Sequence, residues 1–163
     1  MVEIGTREYT SEEFEQRKRM MACLGQVSLF KDTDITDKED IIDVLQTKQF
    51  PKGQIIFNPG DNPDGVYLIE SGEVVVELEQ DGNFKELSRL KENDYFGEMS
   101  ILSNRPRVGR VTVTSEPNAN FFFLPEYDFE KFLATNLNVF REVVKVMTSR
   151  LAETSRLMPF QPH

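Results

Sequence analysis

The chain has 163 residues, 39% of them hydrophobic and 29% charged, which is typical of one soluble globular domain with helical extensions. The 28 acidic side chains outnumber the 19 basic ones and give a net charge of -9. This excess disfavours binding to DNA or to a membrane surface, because both need a clustered basic face. The single cysteine, Cys23, excludes a disulfide within the chain, and neither a signal peptide nor a membrane-spanning run is evident, so we expect a cytoplasmic protein.

Residues 1–45 are predicted to form a helical segment. Thr10 and Glu13 have the spacing of a capping box, so a first helix is expected to begin there and to end near Gly25. A second helix is expected to start at Thr36, which also has a glutamate three residues further on.

From residue 46 to residue 124 the pattern changes from helical to β. Apolar and polar residues alternate along short segments, which are separated by turn residues such as Asp81-Gly82. The predicted strands are residues 55–57, 66–69, 73–79, 84–90, 108–114 and 120–124. Several short strands at close spacing predict a β-sandwich or a barrel.

Residues 125–163 are predicted to form helices and a tail. Pro125 suits the first turn of a short helix over residues 127–135, and a longer helix begins at Asn138. One continuous apolar stripe runs along the longer helix, through Phe140, Val144, Met147 and Leu151. We expect this stripe to pack against the rest of the chain, and self-association with a second copy through the C-terminal helix is the alternative.

The segment around Gly97 carries the residues with the clearest chemistry. Gly97 precedes an apolar segment long enough for about one helical turn, whose first backbone N–H groups can bind an anion. Glu98 can accept hydrogen bonds from two hydroxyl groups, and the planar guanidinium of Arg107 suits bidentate capture of a phosphate. This combination predicts a site for a small phosphorylated sugar, and a solvated surface turn is the alternative.

The segment Phe96-Gly97-Glu98-Met99-Ser100-Ile101-Leu102, followed by Pro106-Arg107, resembles the phosphate-binding cassette of the cyclic-nucleotide-binding domain family. This family includes the regulatory subunits of cAMP-dependent protein kinase, bacterial catabolite-activator regulators and cyclic-nucleotide-gated channels. The upstream residues in the family's order are Gly53, Pro59-Gly60-Asp61, Tyr67-Leu68-Ile69 and Gly72-Glu73-Val74. The resemblance implies an α+β fold, in which an antiparallel β-roll (a jelly-roll-like barrel) at residues 46–124 contains the cassette at 96–109 and is flanked by N-terminal and C-terminal helices.

The resemblance also implies a role for each cassette residue. Glu98 would accept a hydrogen bond from the ribose 2′-hydroxyl, Gly97 would contact the ribose through its backbone, and Arg107 would pair with the cyclic phosphate. The backbone N–H groups of Ser100 and Val108 would face the phosphate. Met99 is the remaining candidate contact in the cassette.

Apolar residues are implied for the base and for coupling. The base would lean on Val76, Leu87 and Leu90, each of which is also a plausible core residue. Ile101 would couple the ligand to the C-terminal helix, and a tail residue such as Phe160 would cap the base.

The cassette departs from the family's pattern at three positions. Val108 lacks the hydroxyl that cGMP-preferring members often carry there, which favours cAMP over cGMP. Arg110 either adds a second positive charge near the site or points outward and pairs with an acid. Ser100 replaces the usual alanine, and its hydroxyl could reach the phosphate.

These features predict a cytoplasmic regulatory domain that senses cAMP and rearranges its C-terminal helices. We expect no cofactor, no metal and no enzymatic activity, because the only histidine, His163, cannot build a histidine-based triad or metal cluster. The expected partners are the cyclic nucleotide and an effector protein or a second copy, without DNA or membrane. A cGMP-preferring sensor, and a β-roll that binds a partner protein without nucleotide, are the alternatives.

Overall fold

The computed structural model describes residues 2–4 and 7–157. The strands are β1 Val2–Ile4, β2 Arg7–Tyr9, β3 Gln46–Pro51, β4 Ile55–Phe57, β5 Gly65–Ser71, β6 Glu73–Gln80, β7 Asn83–Lys91, β8 Tyr95–Phe96, β9 Arg110–Val113 and β10 Asn118–Pro125. The helices are α1 Ser11–Leu24, α2 Ile35–Val44, α3 Glu98–Ser103, α4 Glu126–Thr135 and α5 Leu137–Leu157. The β1–β2 hairpin, which precedes α1, was not predicted from the sequence.

Two antiparallel four-stranded sheets form the β part of the fold. Their strand orders are β3-β10-β5-β8 and β4-β9-β6-β7. The β6–β7 hairpin turns at Asp81 and Gly82, whose φ angles are 52° and 78°, and positive φ at both central residues is typical of a two-residue hairpin turn. The predicted α+β class with an antiparallel β-roll is confirmed, with the strands β3 to β10 in two sheets rather than one closed barrel.

The strands β5 and β10 separate two hydrophobic cores. Because side chains alternate between the two faces of a strand, Val66 and Leu68 join a core with the helices, whereas Tyr67 and Ile69 join a core between the sheets. The residues of β10 divide in the same way, with Phe122 and Leu124 in the helical core and Phe121 and Phe123 in the sheet core. The strand β8 pairs with β5 and leads directly into α3.

Both predicted N-terminal helices are present, but one of the two predicted caps is wrong. Thr10 and Glu13 form the expected capping box at the start of α1. The cap of α2 is Asp34, whose side chain accepts a hydrogen bond from the backbone N–H of Asp37 at 2.9 Å. Thr36 already lies inside the helix, because Asp34, two residues earlier, supplies a charged acceptor to a free N–H group of the first turn.

We therefore expect Asp34→Ala to lower the free energy of unfolding by about 1 kcal/mol, the usual cost of losing a helix cap. The matched control is Thr36→Ala, in which an exposed residue inside the first turn is changed and the cap is kept. Urea denaturation followed by circular dichroism would measure both variants. A larger loss for Thr36→Ala than for Asp34→Ala would contradict the assignment of the cap.

The packing predicted for α5 is wrong. The residues of α5 that are buried against the chain are Val139 and Val143, which are 0% and 1% exposed. Of the predicted stripe, Phe140, Val144 and Leu151 are 48%, 46% and 49% exposed, and only Met147 packs against the helical core. The valines one residue away along the helix take the inner position instead.

Neither α5 nor another described helix combines the length and apolar composition that a membrane span needs.

Candidate ligand-binding site

A glycine in the left-handed conformation joins β8 to α3. Gly97 has a φ of 97°, and a Cβ atom placed there would lie 3.0 Å from Arg107 Nη1 and 3.0 Å from the Gly65 carbonyl oxygen. Glycine suits both the backbone conformation and the close approach, since it has no Cβ. The turn at Gly97 thus brings Glu98, the first residue of α3, close to Arg107.

Arg107 is buried among protein acceptors. Only 4% of its surface is exposed, and its guanidinium carbon lies 4.2 Å from the ring centroid of Phe57. Its two terminal nitrogens donate to the Gly97 carbonyl (2.5 Å), Ser100 Oγ (2.8 Å), Asp64 Oδ1 (2.7 Å) and the Gly65 carbonyl (2.9 Å). Its Nε atom is buried and has no hydrogen-bond partner within residues 2–4 and 7–157. Because buried donors are nearly always paired, this N–H is suited to a further acceptor.

Glu98 is fully buried and uses only one of its two carboxylate oxygens. Its Oε1 accepts a hydrogen bond from Arg150 Nη1 at 2.5 Å, and Arg150 also donates to the Tyr95 carbonyl oxygen. Its Oε2 has no hydrogen-bond partner in the part of the chain that the structure describes. Burial raises the pKa of the Glu98 carboxyl, and the positive charge of Arg150 opposes the shift. A hydroxyl donor at Oε2 would reduce the cost of keeping the carboxylate buried.

A cavity of about 230 Å³ brings the predicted residues together. All nine candidates line it, namely Val76, Leu87, Leu90, Gly97, Glu98, Met99, Ser100, Arg107 and Val108. The cassette supplies its polar groups, and β6 and β7 supply a largely apolar wall. Apolar walls with a few fixed polar groups are the usual composition of a small-molecule site.

The contributions of α5 and of Asp64 were not predicted from the sequence. Arg150, Leu151 and Glu153 line the cavity, although Arg150 follows Glu98 by 52 residues. Asp64 forms a salt bridge with Arg107 at 2.7 Å over 43 residues. Local spacing carries no information on such contacts. The only available signal was chemical, since a buried carboxylate or guanidinium needs an opposite charge.

The structure also places the residues at which the cassette departs from the family's pattern. Arg110 pairs with Glu77 at 3.1 Å and stacks over Phe84 at 3.6 Å, so the outward alternative is confirmed. Ser100 Oγ accepts a hydrogen bond from Arg107. Val108 is 64% exposed at the cavity, and Ile101 is buried in the helical core. Phe160, the predicted cap of the base, lies outside the described residues.

The fold and the cavity define a ligand-binding β-roll domain with a helix placed against its binding cavity. The sequence model of the cyclic nucleotide-binding domain matches residues 47–136, more than half of the chain. The chain belongs to this family, and the resemblance inferred from the cassette is confirmed.

Regulatory subunits of protein kinases are among its curated relatives. The chain is 30% identical to the cAMP-dependent protein kinase type II regulatory subunit of Drosophila melanogaster over 140 residues. This alignment covers 86% of this chain and 37% of that protein. It is 36% identical over 97 residues to the cAMP-dependent protein kinase regulatory subunit of Mucor circinelloides f. lusitanicus, covering 58% of this chain and 23% of that protein. The chain thus spans well under half of the length of these relatives.

Solved structures with the same fold include kinase regulatory subunits. The regulatory domain of Toxoplasma gondii PKA, crystallised with cAMP, is 25% identical, with a TM-score of 0.68 over 76% of this chain and 46% of that one. The regulatory subunit of a cAMP-independent protein kinase A from Trypanosoma brucei is 23% identical, with a TM-score of 0.75 over 91% of this chain and 54% of that one. At this identity the second likeness concerns the fold alone.

Proposed function

We propose that this chain is a cyclic-nucleotide sensor whose ligand is cAMP. The observation that carries the proposal is a pair of buried polar atoms that have no partner among the described residues, Glu98 Oε2 and Arg107 Nε, on two side chains that line one cavity. A ribose hydroxyl would supply the donor that the carboxylate lacks, and a cyclic phosphate would supply the acceptor that the guanidinium lacks. A cyclic nucleotide carries both groups in one small molecule.

The other candidate residues complete the proposed site. The backbone N–H groups of Ser100 and Val108 would face the phosphate, while Gly97 and Met99 would contact the ligand from the turn into α3. The purine would lie on the apolar wall, against Val76, Leu87 and Leu90. Each of these residues lines the cavity, which supports the arrangement.

The two oxygens of Glu98 provide a physical route from ligand to helix. Oε1 accepts a hydrogen bond from Arg150 of α5, and Oε2 would accept one from a ribose hydroxyl. One carboxylate would therefore contact both the ligand and α5. Ile101, three residues further on, packs in the core that contains Val139 and Val143 of α5. Binding would therefore shift the population of α5 arrangements, provided that the ligand binds one arrangement better than the other.

The names of the relatives support a regulatory role rather than a catalytic one. The curated relatives are regulatory subunits, and the Toxoplasma gondii domain was crystallised with cAMP. We propose that residues 46–124 form the binding roll, with the helices of residues 1–45 and 125–163 passing the signal to an effector protein. The alternative of a β-roll that binds a partner without nucleotide is tested by the same titration as the ligand.

Isothermal titration calorimetry with cAMP and cGMP tests this proposal directly. We expect both to bind, with the Kd for cAMP lower by about 5-fold. Guanine would lack a hydrogen-bond partner beside Val108, and one hydrogen bond contributes about 1 kcal/mol, which corresponds to this factor. Val108→Thr, which adds a hydroxyl at nearly constant shape, should raise the affinity for cGMP by a similar factor. The matched control Val108→Ala removes methyl groups without adding a hydroxyl and should not raise it.

Two other outcomes would change the assignment. Tighter binding of cGMP by the unmodified chain would keep the site and overturn the inference from Val108. If folded protein gave no heat with either nucleotide, the sensor would be rejected in favour of a domain that binds a partner protein.

A further inference from the structure

An aromatic ring lies against the guanidinium of Arg107. The guanidinium carbon is 4.2 Å from the ring centroid of Phe57, and a cation within about 6 Å of a ring face is attracted to its π electrons. The side-chain hydrogen bonds that Arg107 donates within the described residues all come from its two terminal nitrogens. The ring of Phe57 therefore makes a contact with this cation that the hydrogen bonds do not provide.

Two further aromatic side chains hold the ring of Phe57 in place. Its centroid is 6.0 Å from that of Phe96 and 6.3 Å from that of Tyr67, at interplanar angles of 54° and 52°. Phe96 and Tyr67 stack on each other at 5.0 Å and 2°, and both are buried in the sheet core. Phe57 is thus fixed from the core while it lines the cavity, so its ring can act as a rigid support.

Packing alone does not require an aromatic residue at position 57. The strand β4 consists of Ile55, Ile56 and Phe57, and a third β-branched residue would suit this half-buried strand position. Such a residue would pack beside the sheet core, but it has no π electrons that attract a cation. The ring therefore gives the guanidinium an interaction that an aliphatic side chain could not supply.

We propose that Phe57 is a positioning residue for the phosphate of the ligand and that it acts through Arg107. This inference rests on the proposed binding of cAMP. The Nε–H of Arg107 has no partner among the described residues, so its direction depends on the orientation of the whole guanidinium. Hydrogen bonds hold the far end of the group, and the ring opposes its rotation out of their plane. The Nε–H would then keep one orientation before the ligand arrives, which reduces the ordering that binding requires.

Calorimetric titration of cAMP into Phe57→Leu tests the proposal. We expect the Kd to rise by about 3-fold to 30-fold, the range of one cation–π contact, and Phe57→Tyr, which keeps the ring, to stay within about 2-fold of the unmodified chain. The matched control is Phe50→Leu. It changes an aromatic residue of the same core that lies against Phe121 at 5.9 Å, and it should bind cAMP like the unmodified chain.

A double-mutant cycle separates positioning of Arg107 from direct contact with the nucleotide, which is needed because Phe57 itself lines the cavity. If Phe57 acts through Arg107, Phe57→Leu should cause no further loss of affinity in the Arg107→Ala background. An equal loss in both backgrounds would overturn the positioning role and would assign Phe57 to the nucleotide itself.

Nuclear magnetic resonance of the ¹⁵N-labelled chain provides a readout without ligand. A group that lies over a ring face is shielded by the ring current, so the Arg107 Nε–H resonance should move downfield in Phe57→Leu and stay in place in Phe50→Leu. An unmoved resonance would overturn the inference, because the ring would then not support the guanidinium.

The remaining outcomes distinguish this inference from the proposed function. If the folded, unmodified chain binds no cyclic nucleotide, both are rejected. If it binds cAMP and Phe57→Leu leaves the Kd unchanged, only the positioning role is rejected. A loss of affinity that Phe50→Leu shares would also overturn the inference, since it would come from a weakened sheet core.

Discussion

Arg107→Ala is expected to lower the affinity for cAMP by roughly 30-fold to several-thousand-fold, the loss of about 2–5 kcal/mol that follows when one partner of a buried charge pair is removed. The arginine is 4% exposed and its Nε–H lacks a partner among the described residues, so the ligand phosphate would be left without its principal cation. Calorimetric titration of cAMP into the variant would measure the loss.

The neighbouring arginine provides the matched control. Arg110 is three residues away, but it pairs with Glu77 and does not line the cavity, so Arg110→Ala should bind cAMP within about 2-fold of the unmodified chain.

Loss of Arg107 also removes hydrogen bonds that hold Asp64 and Gly65. Arg107→Lys is therefore a useful second variant, since it keeps the positive charge without the planar guanidinium. Folded Arg107→Ala or Arg107→Lys with unchanged affinity would show that the phosphate binds elsewhere.

Glu98→Gln is expected to weaken cAMP binding by about 5-fold to 150-fold, equivalent to about 1–3 kcal/mol for a ribose hydroxyl that loses its charged acceptor. The amide removes a buried negative charge, which burial disfavours, but it also removes the ion-pair partner of Arg150. Because Arg150 is partly exposed to water, we expect only a small fall in the melting temperature. A large fall in the melting temperature with unchanged affinity would instead assign Glu98 a purely structural role.

The same variant separates ligand binding from coupling to α5. Hydrogen exchange of α5 should change on addition of cAMP to the unmodified chain, and the change should be much smaller in Glu98→Gln at saturating cAMP. Arg150→Gln, which removes the other end of the contact, should also reduce it while leaving Oε2 available to the ribose. Equal exchange protection of α5 with and without ligand in the unmodified chain would exclude this route.

Local patterns predicted a sandwich or a barrel, and the resemblance of the cassette to a known family specified the β-roll. Three features depend mainly on neighbouring residues and can be predicted from short segments. They are the Asp81-Gly82 turn, the capping box at Thr10 and the segment from Gly97 to Arg107. The error at the start of α2 has the same origin, because Asp34 and Thr36 are both good caps and only the observed hydrogen bond distinguishes them.

The family, six of the eight strands of the roll and the set of cassette side chains could therefore be predicted from the sequence. The salt bridge of Asp64 with Arg107, the contact of Arg150 with Glu98 and the burial of Val139 and Val143 became evident only from the folded chain. These contacts join residues far apart in the chain, and local patterns do not specify them. The direction of α5 against the roll, rather than its own periodicity, selects which of its apolar residues are buried and which charged side chain contacts the Glu98 carboxylate.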